Sequence, residues 1–211
     1  MAKKYEFTGD AHPNFKSLWR IRALVDIPRH NVKAGDLGGW IDAYRCLSHT
    51  GDCWVGEEAV VFMNATVKGN ALVKGNATVS HYAQVLDDAM VGQHALVVGH
   101  SKVMGHSAVI GEARVLACAC VQGKAQVRAR ATIEGKAIIK DFASIYGYAV
   151  CKGSVTICGN SIISRGMHDK GTLCGKVMLS STKVSERAVE ENTLILTSDE
   201  ALSEALLNDT K

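Results

Sequence analysis

From Gly51 to Ser164 the chain is written in sixes. Read from Gly51, the units run GDCWVG, EEAVVF, MNATVK, GNALVK and GNATVS, and continue to GYAVCK, GSVTIC and GNSIIS, nineteen in succession without an insertion. The third position is small, as in Ala65, Ala71, Ala77, Ser101 and Ser107. The fifth is almost always β-branched, as in Val67, Val73, Val79, Ile133 and Ile145. Self-similarity at a short fixed period is the signature of a repeat architecture and takes precedence over local propensity.

The pattern dictates a shape. Positions three and five are two residues apart, so both side chains point to the same face of a short strand, and positions four and six point the other way. Positions one and two, often Gly-Asn or Gly-Lys, make the corner, where glycine tolerates positive φ. Every strand then has the same inside, and the chain keeps turning in one sense. Three six-residue sides close one coil of 18 residues, and coils stack about 4.8 Å apart through parallel ladders. Alanine and valine fill a narrow triangular core with few voids. Composition agrees: aromatic residues are only 6% of the chain and glycines number 20.

The flanks depart from the repeat. Tyr5 and Phe7 alternate with polar neighbours, and Trp19, Ile21, Ala23, Val25 and Ile27 alternate with Arg20, Arg22 and Asp26. They read as two strands. Lys33 to Ile41 reads as a glycine-rich turn leading into the first coil. After Ser164 the repeat decays: Arg165–Gly171 reads as a loop, and Val177–Leu179 and Leu194–Leu196 as strands of a degenerate coil. Thr197 to Glu200 is a capping-box pattern, and Leu202, Ala205 and Leu206 give one apolar helical stripe. The expected organisation is a β cap over 1–50, a repeat body over 51–164, and a degenerate coil with a short C-terminal helix over 165–211.

The repeat resembles that of the hexapeptide-repeat superfamily, over just over half of the chain. The motif is highly specific for fold and weakly specific for function. The resemblance implies an all-β, left-handed parallel β-helix, against the usual right-handed crossover. Tyr5-Glu6-Phe7-Thr8-Gly9 and Gly35-Asp36-Leu37-Gly38-Gly39-Trp40-Ile41 look like the leader of hexapeptide-repeat proteins in phage, prophage and gut-bacterial genomes, many labelled acyltransferases on fold alone. In enzymes of this type one corner histidine is the general base and the acyl-CoA donor lies between subunits. Counting at 18 places His81 near Gly99 and Tyr82 on His100 along one edge, with His94 and His106 on the other two. His100, with His81 and Tyr82 beside it, is therefore the catalytic candidate. Two features of such enzymes are missing. No loop interrupts the repeat, and no proline follows Pro28.

Other chemistry is local. The net charge of +3, from 24 basic and 21 acidic residues, does not by itself point to nucleic acid. Basic residues gather late in the repeat, at Arg114, Lys124, Arg128, Arg130, Lys136 and Lys140, where a cleft between subunits would attract phosphates of a nucleotide, CoA or nucleic-acid backbone. Outward apolar residues form a band in earlier coils: Leu86, Met90, Leu96 and Val98, then Met104, Ile110 and Leu116. Threefold packing of a triangular helix would bury them, so a homotrimer is expected. The seven cysteines include no C-x-x-C, and reduced thiols are expected, with no metal site. The start of the chain has no apolar leader core and no segment reaches membrane-spanning length, so a cytoplasmic, membrane-free protein is expected. Two functions fit: a noncatalytic, phage-type binding protein without cofactor, acting on a host protein or an anionic ligand, or an acyltransferase using acetyl-CoA or another acyl-CoA. A structural role in a virion or filament is a third.

Overall fold

A computed structural model of the protein describes residues 3–180 and the strand Leu194–Leu196. It is all-β, a solenoid of parallel strands stacked about 18 residues apart. Positions four and five of each unit form a short strand, two residues long except at Thr78–His81 and Leu96–Gly99, and the strands collect into three sheets, one per side of the triangle. Face one carries Val60–Val61, Thr78–His81, Leu96–Gly99, Arg114–Val115, Thr132–Ile133 and Val150–Cys151. Face two runs from Thr66–Val67 to Thr172–Leu173, and face three from Trp54–Val55 through Met90–Val91 to Val177–Leu179 and Leu194–Leu196. On face three Met90 pairs with Leu72 on one side and Ala108 on the other, one full coil away in each direction.

The ladders follow the six-residue code. Backbone N–H groups of positions two, four and six donate to carbonyls of positions one, three and five in the next coil, as in Asn70 to Asp87 (2.6 Å), Leu72 to Ala89 (2.9 Å) and Lys74 to Val91 (2.9 Å). Position one bends the chain. Its φ is positive at Gly69 and Gly75, and equally at Glu57, His81, Asp87, Gln93 and Ala117. At Gly75 the requirement is twofold, since a Cβ would also sit 2.7 Å from the Gln93 nitrogen. Non-glycine residues in this conformation cost about 1–2 kcal/mol each. Three acidic ones recover a hydrogen bond: Glu57, Asp87 and Asp141 accept the N–H of Gly75 (2.9 Å), Gly105 (3.0 Å) and Gly159 (3.1 Å), each one coil on. Inside, position three and position five side chains such as Ala95, Val97, Ala113 and Val115 are fully buried.

The stack extends past the repeat in both directions. Strand β1, Tyr5–Ala11, and β2, Trp19–Ala23, form an antiparallel hairpin. Strand β3, Leu37–Ile41, pairs antiparallel with β2 and parallel with Val60–Val61, so the cap continues the sheet of face one. Of the expected glycine-rich turn over Lys33 to Ile41, the part at Ala34–Gly35 is a turn, with the Asp36 N–H bonded to the Lys33 carbonyl, and the rest is strand. Gly38 and Gly39 serve close approach: a Cβ on Gly38 would lie 2.6 Å from Ile21 and Trp54, and one on Gly39 would run into the Ala59 carbonyl. The second expected strand ends at Ala23, short of Ile27. Lys4 is buried and donates from Nζ to the carbonyls of Gly51 (3.0 Å) and Cys53 (2.7 Å), tying the cap to the first corner.

At the other end the expected loop Arg165–Gly171 is overturned, because Met167–His168 joins face one. The period contracts there. Met167 pairs with Val150 one position earlier than the repeat would bring it round, and Thr172 with Thr156 and Met178 with Ile162 two positions earlier. Val177–Leu179 and Leu194–Leu196 are strands as expected and pair in parallel. The expected C-terminal helix lies outside the described residues. Among those residues no helix is long and apolar enough to cross a membrane.

His168 takes the core position held by Val115, Ile133 and Cys151 in earlier coils, and it is fully buried. Its Nε2 meets the Arg165 carbonyl at 3.1 Å, while Nδ1 and the neighbouring Asp169 Oδ1 have no partner among the described residues. Burial holds its pKa below the ordinary histidine value, only partly opposed by the Arg165 carbonyl and by Asp169. The unfolded chain then binds the extra proton, so stability falls as pH drops through about 6.5 and below. Amide exchange over residues 165–179, corrected for intrinsic rates, should therefore quicken between pH 7 and pH 5, and His168→Val should flatten that response. An unchanged pH response in the variant would exclude His168 as its cause. At the other end, Gly39→Val should cost about 3 kcal/mol in urea unfolding, by overpacking. Gly9→Ala, where nothing lies within 4 Å of the new Cβ, should cost about 1 kcal/mol for φ alone. Equal losses would disprove the close-approach role of Gly39.

Candidate functional site

Outward side chains at the same position of every third unit lie on adjacent coils, so each edge of the prism carries a ladder of position-two residues. Edge one–two, between faces one and two, holds the histidine candidates. Tyr82 and His100 stack with centroids 4.7 Å apart and planes 1° from parallel, and His81 pairs with Gly99, as counting along the repeat requires. His81 has positive φ and its Nδ1 lies 3.1 Å from the Ser80 hydroxyl. The next residues along this edge are the exposed Cys118 and then Lys136. No carboxylate bonds to either imidazole among the described residues, and the one side-chain partner there is the Ser80 hydroxyl at His81.

Edge two–three is structural where it meets the cap. Asp88 receives Arg29 (2.5 Å), Asn70 Nδ2 (3.0 Å) and His106 Nε2 (3.4 Å). The Asn70 hydrogen bond, with Arg29 and His106 adding charge, holds the Asp88 carboxyl below the usual range. The turn Pro28–His30 is thereby fastened along the body, with His30 Nε2 also 3.0 Å from the Asn70 carbonyl. Farther along, Lys124 lies over the ring of Phe142 at 5.2 Å.

Edge three–one carries a groove of about 660 Å³. Asn76, His94, Glu112, Arg130 and Tyr148 follow one another along it, and small residues at Gly111, Ala129 and Gly147 keep it open. Arg130 Nε is 2.9 Å from Glu112, its Nη1 is 3.3 Å from the Tyr148 hydroxyl, and its guanidinium lies over the Tyr148 ring at 5.8 Å. The Glu112 hydrogen bond and charge push the Arg130 pKa up. Arg128 and Tyr146 occupy the preceding outward column, on face three, and Arg114 projects from face one just past Glu112. Arg114 and Arg128 are exposed and unpaired among the described residues.

The six basic residues expected to act together are thus divided. Arg114, Arg128 and Arg130 surround edge three–one, Lys124 and Lys140 flank edge two–three beside Asp141, and Lys136 stands on edge one–two. The apolar band is similarly distributed. Leu86 and Met104 are on face two, Met90 and Ile110 on face three, and Leu96, Val98 and Leu116 on face one, all half-buried by neighbours in their own columns. Three further exposed rings lie later in the repeat: Phe142 (59% exposed), Tyr146 (41%) and Tyr148 (62%). Sequence reasoning missed them, although their places at positions two and six of late units marked them as outward.

Cys158 and Cys174 face each other on adjacent coils with Cα atoms 4.5 Å apart, close enough for a disulfide, while Cys46, Cys53, Cys118, Cys120 and Cys151 are free. Burial raises the Cys151 thiol pKa to about 12, which keeps it protonated and inert. Among the described residues no group of three or more His, Cys, Asp or Glu side chains could hold a metal ion. Neither a known protein family nor a curated protein matches this chain.

Proposed function

We propose that the protein is a noncatalytic binding protein on a β-helix of the hexapeptide-repeat type, and that its ligand is an anion received at edge three–one. The observation that carries this reading is the pair of exposed, unpaired arginines, Arg114 and Arg128, on either side of an open groove already organised by Arg130, Glu112 and Tyr148. A guanidinium presents a planar fork that matches carboxylate and phosphate, so two unpaired ones beside one groove favour an anionic group there. From Gly51 to Ser164 the coils run without an inserted loop, as suits display of a rigid surface rather than enclosure of a reaction. The leader resemblance favours a phage-type, cytoplasmic protein acting on a host component. Trimerisation through the outward apolar residues belongs to the same reading, because it would set the grooves of neighbouring chains side by side.

Acyl transfer is the second reading. What favours it is the stacked Tyr82–His100 pair on an open edge, which fixes the plane of one imidazole where an acceptor could reach it. Acetyl-CoA binding, together with a loss of about 100-fold in turnover for His100→Ala, would establish it.

Calorimetry with ATP, citrate and inorganic phosphate tests the first reading. Binding of at least one should weaken on the order of tenfold in Arg128→Ala and in Arg114→Ala, and stay unchanged in Lys136→Ala on the remote edge. Absence of any anion binding would remove the reading. Light scattering tests the assembly: the wild-type protein should be a trimer at micromolar concentration, and Leu86→Lys combined with Met104→Lys should give monomers. A monomeric wild type would eliminate the trimer and leave the anion site to be judged on its own.

A further inference from the structure

The groove on edge three–one is more selective than an anion site needs to be. It is a ladder, with rungs at Asn76, His94, Glu112, Arg130 and Tyr148 set one coil apart. Four coil spacings of about 4.8 Å make it about 19 Å long. Among the lining residues, permanent positive charge is confined to the Arg130 end, where Arg128 stands beside it. The opposite end is lined by an imidazole and two carboxamides, those of Asn76 and Gln93, with Lys74 outside the lining. The N–H groups of His94, Glu112 and Arg130 are already bonded to the following coil, whereas those of Gln93, Gly111, Ala129 and Gly147 have no backbone partner among the described residues. Recognition along this edge therefore draws on side chains and on these backbone donors.

We infer that the groove takes a carboxylate-bearing oligosaccharide lying parallel to the solenoid axis, an inference that rests on the anion-binding reading above. Hydroxyl groups both donate and accept, and a row of carboxamide, imidazole and carboxylate side chains meets both needs. Tyr148, with an exposed ring and a hydroxyl held by Arg130, offers the flat apolar face on which a pyranose ring packs and a polar edge beside it. Arg128 supplies the unpaired fork for a uronate carboxylate next to that ring. The floor residues Gly111, Ala129 and Gly147 let sugar rings approach the backbone.

Competing polymers fit less well. A nucleic-acid strand brings a phosphate with every nucleotide and calls for cations all along its track. Here Glu112 sits mid-groove, and among the described residues the only cation beside the far half is Lys74, in the outward column that carries Arg128 at the other end. An extended peptide is usually received by backbone pairing at a sheet edge, whereas this groove crosses the coils at a corner.

The experiment compares four probes by calorimetry against the intact protein: an oligomer of galacturonic acid, a neutral glucose oligomer of equal length, a sulfated oligosaccharide, and oligo-dT. The galacturonate oligomer should bind at least about tenfold more tightly than each of the others. Tyr148→Ala should weaken it by about tenfold or more, and Arg128→Ala should lower it to the level of the neutral oligomer. Asn76→Ala should weaken the galacturonate and neutral oligomers alike, with Lys136→Ala unchanged throughout. Equal or tighter binding of oligo-dT would overturn the glycan assignment in favour of nucleic acid. Equal or tighter binding of the sulfated oligosaccharide would overturn the carboxylate. Galacturonate binding indifferent to Tyr148→Ala would overturn the groove as the site. If ATP or citrate binds through Arg128 while no oligosaccharide binds, the inference fails and the anion site stands; if no anion of any kind binds, both fail.

Discussion

The bend at position one of each unit is the constraint on which the molecule depends. From Glu57 to Gly159 every sixth residue takes left-handed backbone, whether or not it is glycine. Without that bend the strands could not turn through the corner, and the inter-coil ladder would lose its register. The strain is spread over many corners, each small beside the hydrogen bonding and burial of the coil it closes. Glu57, Asp87 and Asp141 show that the side chain at a strained corner can contribute to holding the next one. A conformational cost at one residue thus becomes a contact between coils.

Because the backbone is so fully determined, its outer surface is free to vary. Apart from the first coils, where Trp54 is buried against the cap and Leu72 packs on the core, positions two, four and six face outward, and their neighbours are fixed in advance by the length of a coil. Chemistry on such a scaffold is built as columns. Edge two–three uses its column near Asp88 to fasten the cap. Edge three–one uses its column to set an ion pair, Glu112 with Arg130, between the polar Asn76 and His94 and the ring of Tyr148. Edge one–two sets an aromatic ring on an imidazole. One register rule therefore generates three different surfaces.

The same rule explains what was legible in the sequence. The burial of Ala95 and Val97 follows from periodicity, and the Tyr82–His100 stack follows from counting. Counting fails where the period changes. At the regular spacing Cys158 would face Lys176, but the shortened coil sets it against Cys174. The same contraction hid the strand at Met167–His168 and the entry of a histidine into the core. Gly38 and Gly39 resembled a turn because glycine serves two purposes, backbone freedom and close approach, and local sequence does not tell them apart. The candidate site was half legible. Nearness in sequence grouped six basic residues that the corners then separated, and the Arg130–Tyr148 pair, 18 residues apart, is visible only once the coil length is counted out.

The change of period also bears on how the chain meets copies of itself. The first coil is longer than the repeat, since Trp40 must reach Val60 to find its partner, whereas the last coils, closing from Val150 to Met167 and from Thr156 to Thr172, are shorter. The difference lies in the corners, with two extra residues between Ser48 and Cys53 at one end and fewer residues per coil at the other. A parallel solenoid of constant section would present the same unpaired edge top and bottom, each a template for the other, and could grow indefinitely end to end. Here the antiparallel hairpin of β1 and β2 occupies the edge of face one at the N-terminal end, so that edge is no copy of a repeat rung. This works against head-to-tail polymerisation, a hazard inherent in any fold made of identical stacked rungs.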